Sequence, residues 1–239
     1  MKIAFIGYGK MGRAIEELAL AKGHEIVLRI CTSNPQDLTR ENIQKADVCI
    51  EFSTPEAAFH HVTFCLECGV PVVCGTTAWT EHLETVQQLC RKQNGSFLFA
   101  SNFSLGVNLF FRISEWVAHL MQAYPSYKVS MEEIHHTQKK DAPSGTAITL
   151  AEGILNHYPG LKNWKLEEES SPGHLPIRCK REDPAPGTHS IRYDSSVDQI
   201  ELIHTAHNRK GFAEGALLAA EFICNRKGIF TMRDVLGLP

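Results

Sequence analysis

The first apolar run, Lys2 to Ile6, hardly alternates, as in a strand buried on both faces of a parallel sheet, and it stops at Gly7. Met11, Ala14, Ile15, Leu18 and Ala19 then recur at helical spacing up to Lys22, and Gly23 supplies a stop before a second strand, Ile26 to Ile30. Val48 to Phe52 is a third strand. Ser53-Thr54-Pro55-Glu56 after it has the hydroxyl, proline and early carboxylate of a helix start, and the helix runs to about Cys68 and stops at Gly69. A strand at Val70 to Cys74, a helix opened by Thr80-Glu81 and closed by Asn94-Gly95, and a strand at Phe97 to Ala100 complete the series. Strands and helices alternating at these lengths predict an α/β domain over residues 1–102, a Rossmann-type doubly wound parallel sheet.

After Asn102 the pattern changes. A helix over Leu105 to Met121 leads to a strand at Tyr127 to His136 and a second helix near Gly145. Residues 163–207 hold three strand-like runs separated by proline and glycine, with Ile200 and Leu202 on one face and Glu201 on the other. This predicts an α+β domain at 103–212 with a mainly antiparallel sheet. The apolar helix within Gly211 to Arg226 belongs to a C-terminal segment, 213–239, expected to return to the first domain.

A hydrophobic content of 43% in 239 residues suffices for packed cores. The formal net charge of −3 offers no basic footprint for nucleic acid. No apolar run approaches the roughly 20 residues that span a bilayer, and no signal-peptide layout is present, so a cytoplasmic protein without a membrane partner is expected. The eight cysteines are scattered, mostly inside apolar segments, and read as buried free thiols. Cys65 and Cys68 form a CxxC in mid-helix with no second pair or matching histidines, so two core thiols and no metal site are expected.

Gly7-Tyr8-Gly9-Lys10-Met11-Gly12 is GxGxxG set between a buried strand and a helix start. Gly7 permits the tight turn, Gly9 lets backbone approach a pyrophosphate, and Gly12 lets helix and strand pack closely. The helix start adds unpaired N–H groups and about half a positive charge. A nicotinamide dinucleotide is the expected cofactor. At the end of the second strand, Arg29-Ile30-Cys31-Thr32-Ser33-Asn34 contains no carboxylate to grip a ribose 2′-hydroxyl. The hydroxyls of Thr32 and Ser33 do not repel a 2′-phosphate, so NADPH, or both NADPH and NADH, is expected.

The densest chemistry lies in Glu132 to Ala147, EEIHHTQKKDAPSGTA. Adjacent histidines leaving a strand point to opposite sides, so His135 and His136 face different groups. Lys139 supplies a compact movable charge, and Ser144-Gly145-Thr146 opens a helix whose amides suit a carboxylate. A titratable pair, a lysine and an anion nest within about a dozen residues point to a reaction site for a small anionic substrate.

GYGKMG at 7–12, EFSTPEA at 51–57, CGTTAW at 74–79, FASNFSLGVN at 99–108, HHTQKKDAPSGTA at 135–147 and HTAHNRKGFAEGALLAAEF at 204–222 together resemble the dihydrodipicolinate reductase family of bacterial lysine biosynthesis. The resemblance implies NAD(P)H-dependent reduction of 4-hydroxy-tetrahydrodipicolinate (dihydrodipicolinate) to tetrahydrodipicolinate in the diaminopimelate pathway. It implies His135 as general acid, Lys139 as a group that protonates or orients the reacting centre, and His136, Gly145 and Thr146 as contacts to the substrate carboxylates. Gly75, Thr76 and Thr77 would meet the nicotinamide end, and Ala100, Ser101, Asn102 and Phe103 would line the seam between domains, beside the cofactor. A homotetramer built through the substrate domains is implied as well. Two departures stand out: Cys31 occupies a place where the family often has an acidic residue, and a glycine-rich stretch is contracted to Asp183-Pro184-Ala185-Pro186-Gly187-Thr188-His189. Other readings of the same architecture are a dehydrogenase of another small amino-acid-like carboxylate and a non-catalytic dinucleotide sensor. No cysteine follows a glycine turn in the manner of a semialdehyde-type nucleophile.

Overall fold

The computed structural model describes residues 1–208 and 210–238. The chain divides into two compact units, Met1–Leu105 with Lys210–Pro239, and Gly106–Arg209. The division falls three residues after the boundary expected at Asn102 and before the one expected at residue 212.

The first unit begins β1 (Lys2–Ile6), α1 (Lys10–Ala21), β2 (Glu25–Ile30), α2 (Arg40–Ile43), β3 (Val48–Glu51), α3 (Pro55–Glu67), β4 (Val72–Cys74), α4 (Leu83–Lys92) and β5 (Ser96–Phe99). The second holds α5 (Leu105–Met121), apart from its first residue, with β6 (Lys128–His135), α6 (Gly145–Leu155), β7 (Asn163–Leu166), β8 (His174–Arg181), β9 (Thr188–Asp194) and β10 (Gln199–Thr205). The chain then returns to the first unit as α7 (Lys210–Ile223), β11 (Gly228–Phe230) and α8 (Met232–Leu236).

The first sheet is parallel throughout, in the order β11-β5-β4-β3-β1-β2. Side chains alternate between its faces, so neighbours in β1 serve different cores. Ile3 and Phe5 pack with Ile15 and Ala19 of α1 and Ala213, Leu217 and Ile223 of α7, whereas Ala4 and Ile6 join Val62, Cys65 and Leu66 of α3 and Val86 and Cys90 of α4. All of these are essentially solvent-free, and each large one contributes on the order of 1.5–3 kcal/mol. Burial on both faces is why β1 lacks polar alternation. At Gly215 a Cβ would run into the Phe103 carbonyl, so glycine is needed for α7 to approach the sheet this closely. The three-residue β11 was not anticipated, because a strand so short has no periodicity and exists only through its pairing with Ser96 to Leu98.

From β1 the chain passes through α1 to β2 on one side, while β3 lies on the other. This is the switch point at which open parallel sheets bind ligands beyond the carboxyl ends of their strands. Backbone bonds extend past several of those ends: Gly7 N–H donates to Ile30 O (2.9 Å), Phe52 to Ile6 O (2.8 Å), Gly75 to Glu51 O (2.9 Å) and Ala100 to Cys74 O (3.2 Å).

The second sheet has the order β10-β9-β6-β8-β7. It is mixed rather than mainly antiparallel: β6 with β9 and β9 with β10 are antiparallel, but β6 with β8 and β7 with β8 are parallel. Residues 163–207 thus contain four strands where three runs were expected. The parallel pair β7–β8 is joined by only seven residues, 167–173, and so short a return ordinarily signals antiparallel pairing. Phe110, Ala118 and Met121 of α5 and Ala147, Leu150, Ala151 and Ile154 of α6 pack on Met131, Leu175, Ile177, Ile191 and Tyr193 of the sheet. Ile200 and Leu202 do share a side, yet Ile200 is 44% exposed because β10 is an edge strand. No helix among the described residues is long and apolar enough to cross a membrane.

Candidate active site

In the first unit the GxGxxG turn lies at the end of β1. Gly7 has φ +90°, and a Cβ there would strike the Phe52 carbonyl; one on Gly12 would sit 2.9 Å from Gly7 O. At Gly9, the N-cap of α1, an added Cβ would meet nothing within 4 Å, so the backbone is open to a ligand. No side chain caps α1 and its first turn carries no acid, which leaves the positive helix end uncompensated. A pyrophosphate fits this cradle. Lys10 is exposed and Met11 half-buried beside it. The Tyr8 hydroxyl donates to buried Glu16, which also accepts from Arg29, and Arg13 and Arg29 each lie 5.8 Å from the Tyr8 ring centroid. Thr32 and Ser33 are exposed in a turn closed by Asn34, whose side-chain Oδ1 accepts from Cys31 N–H (2.8 Å). The Ser33 hydroxyl, 3.1 Å from the Cys31 sulfur, draws that thiol below its ordinary pKa.

The ends of β3 and β4 are tied by Glu51, which is fully buried. It accepts from the Thr76 hydroxyl (2.7 Å), the Cys74 thiol (3.0 Å), and the Ser53 amide (3.0 Å) and hydroxyl. Burial alone would raise the Glu51 pKa, but the His61, Cys74, Ser53 and Thr76 partners outweigh it and hold the carboxyl below its usual range. The Thr76 hydroxyl also accepts from Ser53 N–H (2.9 Å), and its carbonyl accepts from Trp79 Nε1 (2.6 Å). Thr76 is therefore the hub of this loop. Gly75 packs on the Phe52 ring, where any Cβ would clash, and Thr77 is exposed. After β5, Ala100 and Ser101 are half-buried; Asn102 and Phe103 are buried, with the Asn102 side-chain Oδ1 accepting from Ser104 N–H (2.9 Å) and the Phe103 ring 5.6 Å from Phe52.

In the second unit His135 is the last residue of β6 and lies on the same face as Glu133, two positions earlier. Both are buried. The strand register sets Arg181 of β8 opposite His135 and His189 of β9 opposite Glu133. Glu133 Oε1 accepts from Arg181 (3.0 Å), while Oε2 accepts from Ser144 N–H (3.0 Å) and lies 3.6 Å from His135 Nδ1 and 3.8 Å from His189 Nε2. The two imidazole rings meet edge-on, 5.1 Å apart. These three groups come near enough to bracket an ion, but both Glu133 oxygens are engaged and one faces a guanidinium, so the set suits proton handling better than metal ligation.

Ser144 caps α6 by accepting from Ala147 N–H (3.1 Å), and its hydroxyl lies 3.2 Å from His189 Nε2. Its amide and hydroxyl both serve the protein. Gly145 follows at the first helical position, where an amide has no intrahelical acceptor, and Thr146 is buried behind it. Lys139 Nζ bonds both oxygens of Asp141 (2.9 Å each), and Arg181 pins the same loop through Asp141 O (2.6 Å). His136 turns away from the Glu133 face; its amide donates to Ala185 O (2.9 Å). Gly187, at φ +154°, lies against the His135 ring, and a Cβ there would come within 3.1 Å of Nε2.

Burial pulls the His135 imidazole down to about 4; the Glu133 charge works against this, and the Lys139 and Arg181 cations add to it. His189 falls to about 3, through burial and then the neighbouring His135. Burial would raise the Glu133 pKa, but Ser144, His135 and Arg181 together bring it below the ordinary carboxylate value. At neutral pH the site holds a carboxylate, a guanidinium and two neutral imidazoles.

Family models for the two halves of one enzyme match nearly the whole chain: dihydrodipicolinate reductase, N-terminus, over residues 1–103, and dihydrodipicolinate reductase, C-terminus, over residues 106–236. The chain belongs to the dihydrodipicolinate reductase family. It is an NAD(P)H-dependent oxidoreductase, as its cradle and relatives agree. The reductase is 47% identical to the 4-hydroxy-tetrahydrodipicolinate reductase of Christiangramia forsetii, covering 99% of this chain and 98% of that one, and 34% identical to that of Methanosarcina mazei, covering 99% and 89%. Its fold matches a dipicolinate-bound dihydrodipicolinate reductase from Paenisporosarcina sp. TG-14 with a TM-score of 0.75 at 26% identity, over 97% of each chain. An amine dehydrogenase from Mycobacterium smegmatis, at 11% identity and TM-score 0.60 over 97% and 95% of the chains, shares the fold alone.

Sequence reading did not single out Glu51, Glu133, Arg181 or His189. Only Glu133 left a signal, its alternation with His135. Arg181 and His189 enter through strand register from more than 40 residues away. Arg209 of the HTAHNRKGF segment lies outside the described residues.

Proposed function

We propose that this chain reduces 4-hydroxy-tetrahydrodipicolinate to tetrahydrodipicolinate with NADPH or NADH. The observation that carries the reading is the buried His135 imidazole beside a lysine and a helix start in the second unit, in a chain whose first unit has a dinucleotide cradle. The relatives named as 4-hydroxy-tetrahydrodipicolinate reductases support the substrate, and the dipicolinate bound to the Paenisporosarcina enzyme supports a ring dicarboxylate.

Gly7, Gly9, Gly12 and the start of α1 hold the pyrophosphate; Gly75, Thr76 and Thr77, with Ala100 to Phe103, meet the nicotinamide end. Lys10, Arg13, Thr32 and Ser33 present positive charge or hydroxyls where a 2′-phosphate would lie. The bound nicotinamide supplies the hydride. The α6 start at Gly145 and Thr146, with His136 and Lys139, grips the two carboxylates. As negative charge builds on the substrate ring, His135 donates the proton that neutralises it. An imidazole with a pKa of about 4 is neutral at pH 7, so His135 must gain its proton as the dianionic substrate arrives and raises that value. A water leaves when the entering species is hydroxylated.

The test is loss of reduced-nicotinamide absorbance on mixing the purified chain, cofactor and freshly generated substrate. Oxidation that requires all three components is expected. Oxidation absent with both cofactors, despite tight cofactor binding, would favour a sensor.

The reading extends to a homotetramer assembled through the second unit and working in the cytoplasm. Leu109, Ile113, Trp116 and Leu120 form an exposed stripe on α5, with Trp116 64% exposed, and the β10 edge exposes Ile200 and Ile203. Apolar faces of this kind are covered by partners, and free cysteines suit a reducing compartment. Sedimentation should give a particle of four 26.7 kDa chains; a monomer at micromolar concentration would refute the assembly.

A further inference from the structure

We propose that Glu133 is a positioning residue for the reduction: one buried carboxylate that anchors the start of α6, where the substrate acid group binds, and provides the counter-charge that lets His135 take up its proton. This rests on the functional reading above.

Three observations carry it. Glu133 is solvent-free, and its Oε2 is both the acceptor of Ser144 N–H at 3.0 Å and the oxygen nearest His135 Nδ1 at 3.6 Å. His135 Nδ1 is buried and has no hydrogen-bond partner among the described residues, so the imidazole faces the carboxylate without being locked to it. The groups that face His135 from the surrounding elements are Glu133 on β6, Arg181 on β8, His189 on β9, and Lys139 and Asp141 in the loop before α6. Arg181 and Lys139 oppose a charged imidazole, and Asp141 is 59% exposed and already paired with Lys139. Glu133 is therefore the main fixed charge favouring protonated His135. Without it, the substrate carboxylates alone would have to overcome burial and two cations.

His189 has a different part. It is neutral, 3.2 Å from the Ser144 hydroxyl and opposite Glu133 across the strand pair, so it orients the Ser144 cap and adds no charge. Its removal should disturb substrate binding and leave the protonation of His135 in place. This contrast separates a charge effect from loosened packing.

The experiment compares wild type, Glu133→Gln and His189→Gln in two measurements. One is kcat and KM across pH with cofactor saturating; the other is proton uptake on binding pyridine-2,6-dicarboxylate, by calorimetry in buffers of different ionisation heat. Wild type should take up about one proton per diacid near pH 7. Glu133→Gln, whose amide carbonyl can still accept from Ser144, should move the alkaline limb of kcat down by about one pH unit, a tenfold loss above the limb, and take up clearly less proton. His189→Gln should leave the limb in place and raise KM about fivefold, the scale of one hydrogen bond. A Glu133→Gln limb and proton uptake that coincide with wild type would overturn the proposal, as would a kcat lowered equally at every pH. If that variant does not fold, Glu133→Asp carries the test. It keeps the charge but draws it back from Ser144 and His135 alike, so KM should rise and the limb should fall by less than the roughly one unit expected of glutamine; a limb that falls by about a full unit or more would overturn the role. Wild type that neither binds the diacid nor oxidises cofactor overturns the functional reading itself, an outcome distinct from active variants that behave alike.

Discussion

Each unit buries one glutamate completely on its sheet, and the two glutamates do different work. Glu51, at the end of β3, is surrounded by neutral donors: a threonine and a serine hydroxyl, a thiol and an amide, with the His61 ring 3.6 Å away. Glu133, near the end of β6, faces a guanidinium and two imidazoles and accepts a helix-start amide. Glu51 has one imidazole beside it, His61 of α3, but its hydrogen bonds come from Cys74 at the end of β4 and from the loops that follow β3 and β4, so it holds the shape of that region. Glu133 lies against His135 itself, the imidazole proposed to carry the proton, and so also bears on where that proton rests. On the proposed function, the same residue type shapes a cofactor loop in one unit and conditions an acid in the other.

The contrast can be tested first at its chemical end. His135→Gln removes the proposed proton donor, and kcat should fall by about 10²- to 10⁴-fold with the cofactor KM unchanged, as measured by steady-state kinetics. An undiminished kcat would take His135 out of the mechanism and leave Glu133 with no reaction to serve.

Glu51→Gln probes the structural partner. A glutamine carbonyl cannot accept from all four donors, so unsatisfied groups should cost about 1–3 kcal/mol in denaturant unfolding and raise the cofactor KM several-fold. The pH dependence of kcat should not move. A shifted limb in this variant would erase the distinction between the two carboxylates.

The smallest effect lies in acid stability. His135 and His189 have folded pKa values of about 4 and 3, below the ordinary 6.5. Between those values the unfolded chain binds more protons, so stability present above pH 6.5 should be lost as pH falls toward 4. Both glutamates, held below the usual carboxylate range, withdraw their contribution in more acid solution still. The midpoint of thermal unfolding should decline from pH 6.5 downward in wild type and decline less over that interval in His189→Gln. Parallel curves would mean that His189 is not buried neutral.

Much of this was legible beforehand where the determinants are local. The glycine turn at 7–12 is dictated by positive φ and close approach, both properties of single residues. The helix expected over Leu105 to Met121 is found with both bounds matching. Ser144 announced a helix start, and it caps α6 as its hydroxyl suggests; the engagement of its amide with Glu133 could not be read from neighbouring residues. The parallel β7–β8 pair was missed because pairing direction is a choice between partners, and the seven-residue link favoured the other choice.

Local patterning and short motifs determined the alternating architecture of the first unit, its glycine cradle and the segment proposed to donate the proton, since backbone geometry, burial periodicity and residue chemistry act over a few positions. The tertiary structure alone decided which carboxylates are buried and what each of them faces. A side chain's charge state depends on desolvation and on neighbours within a few ångströms, and strand register, which no single segment encodes, brings those neighbours together.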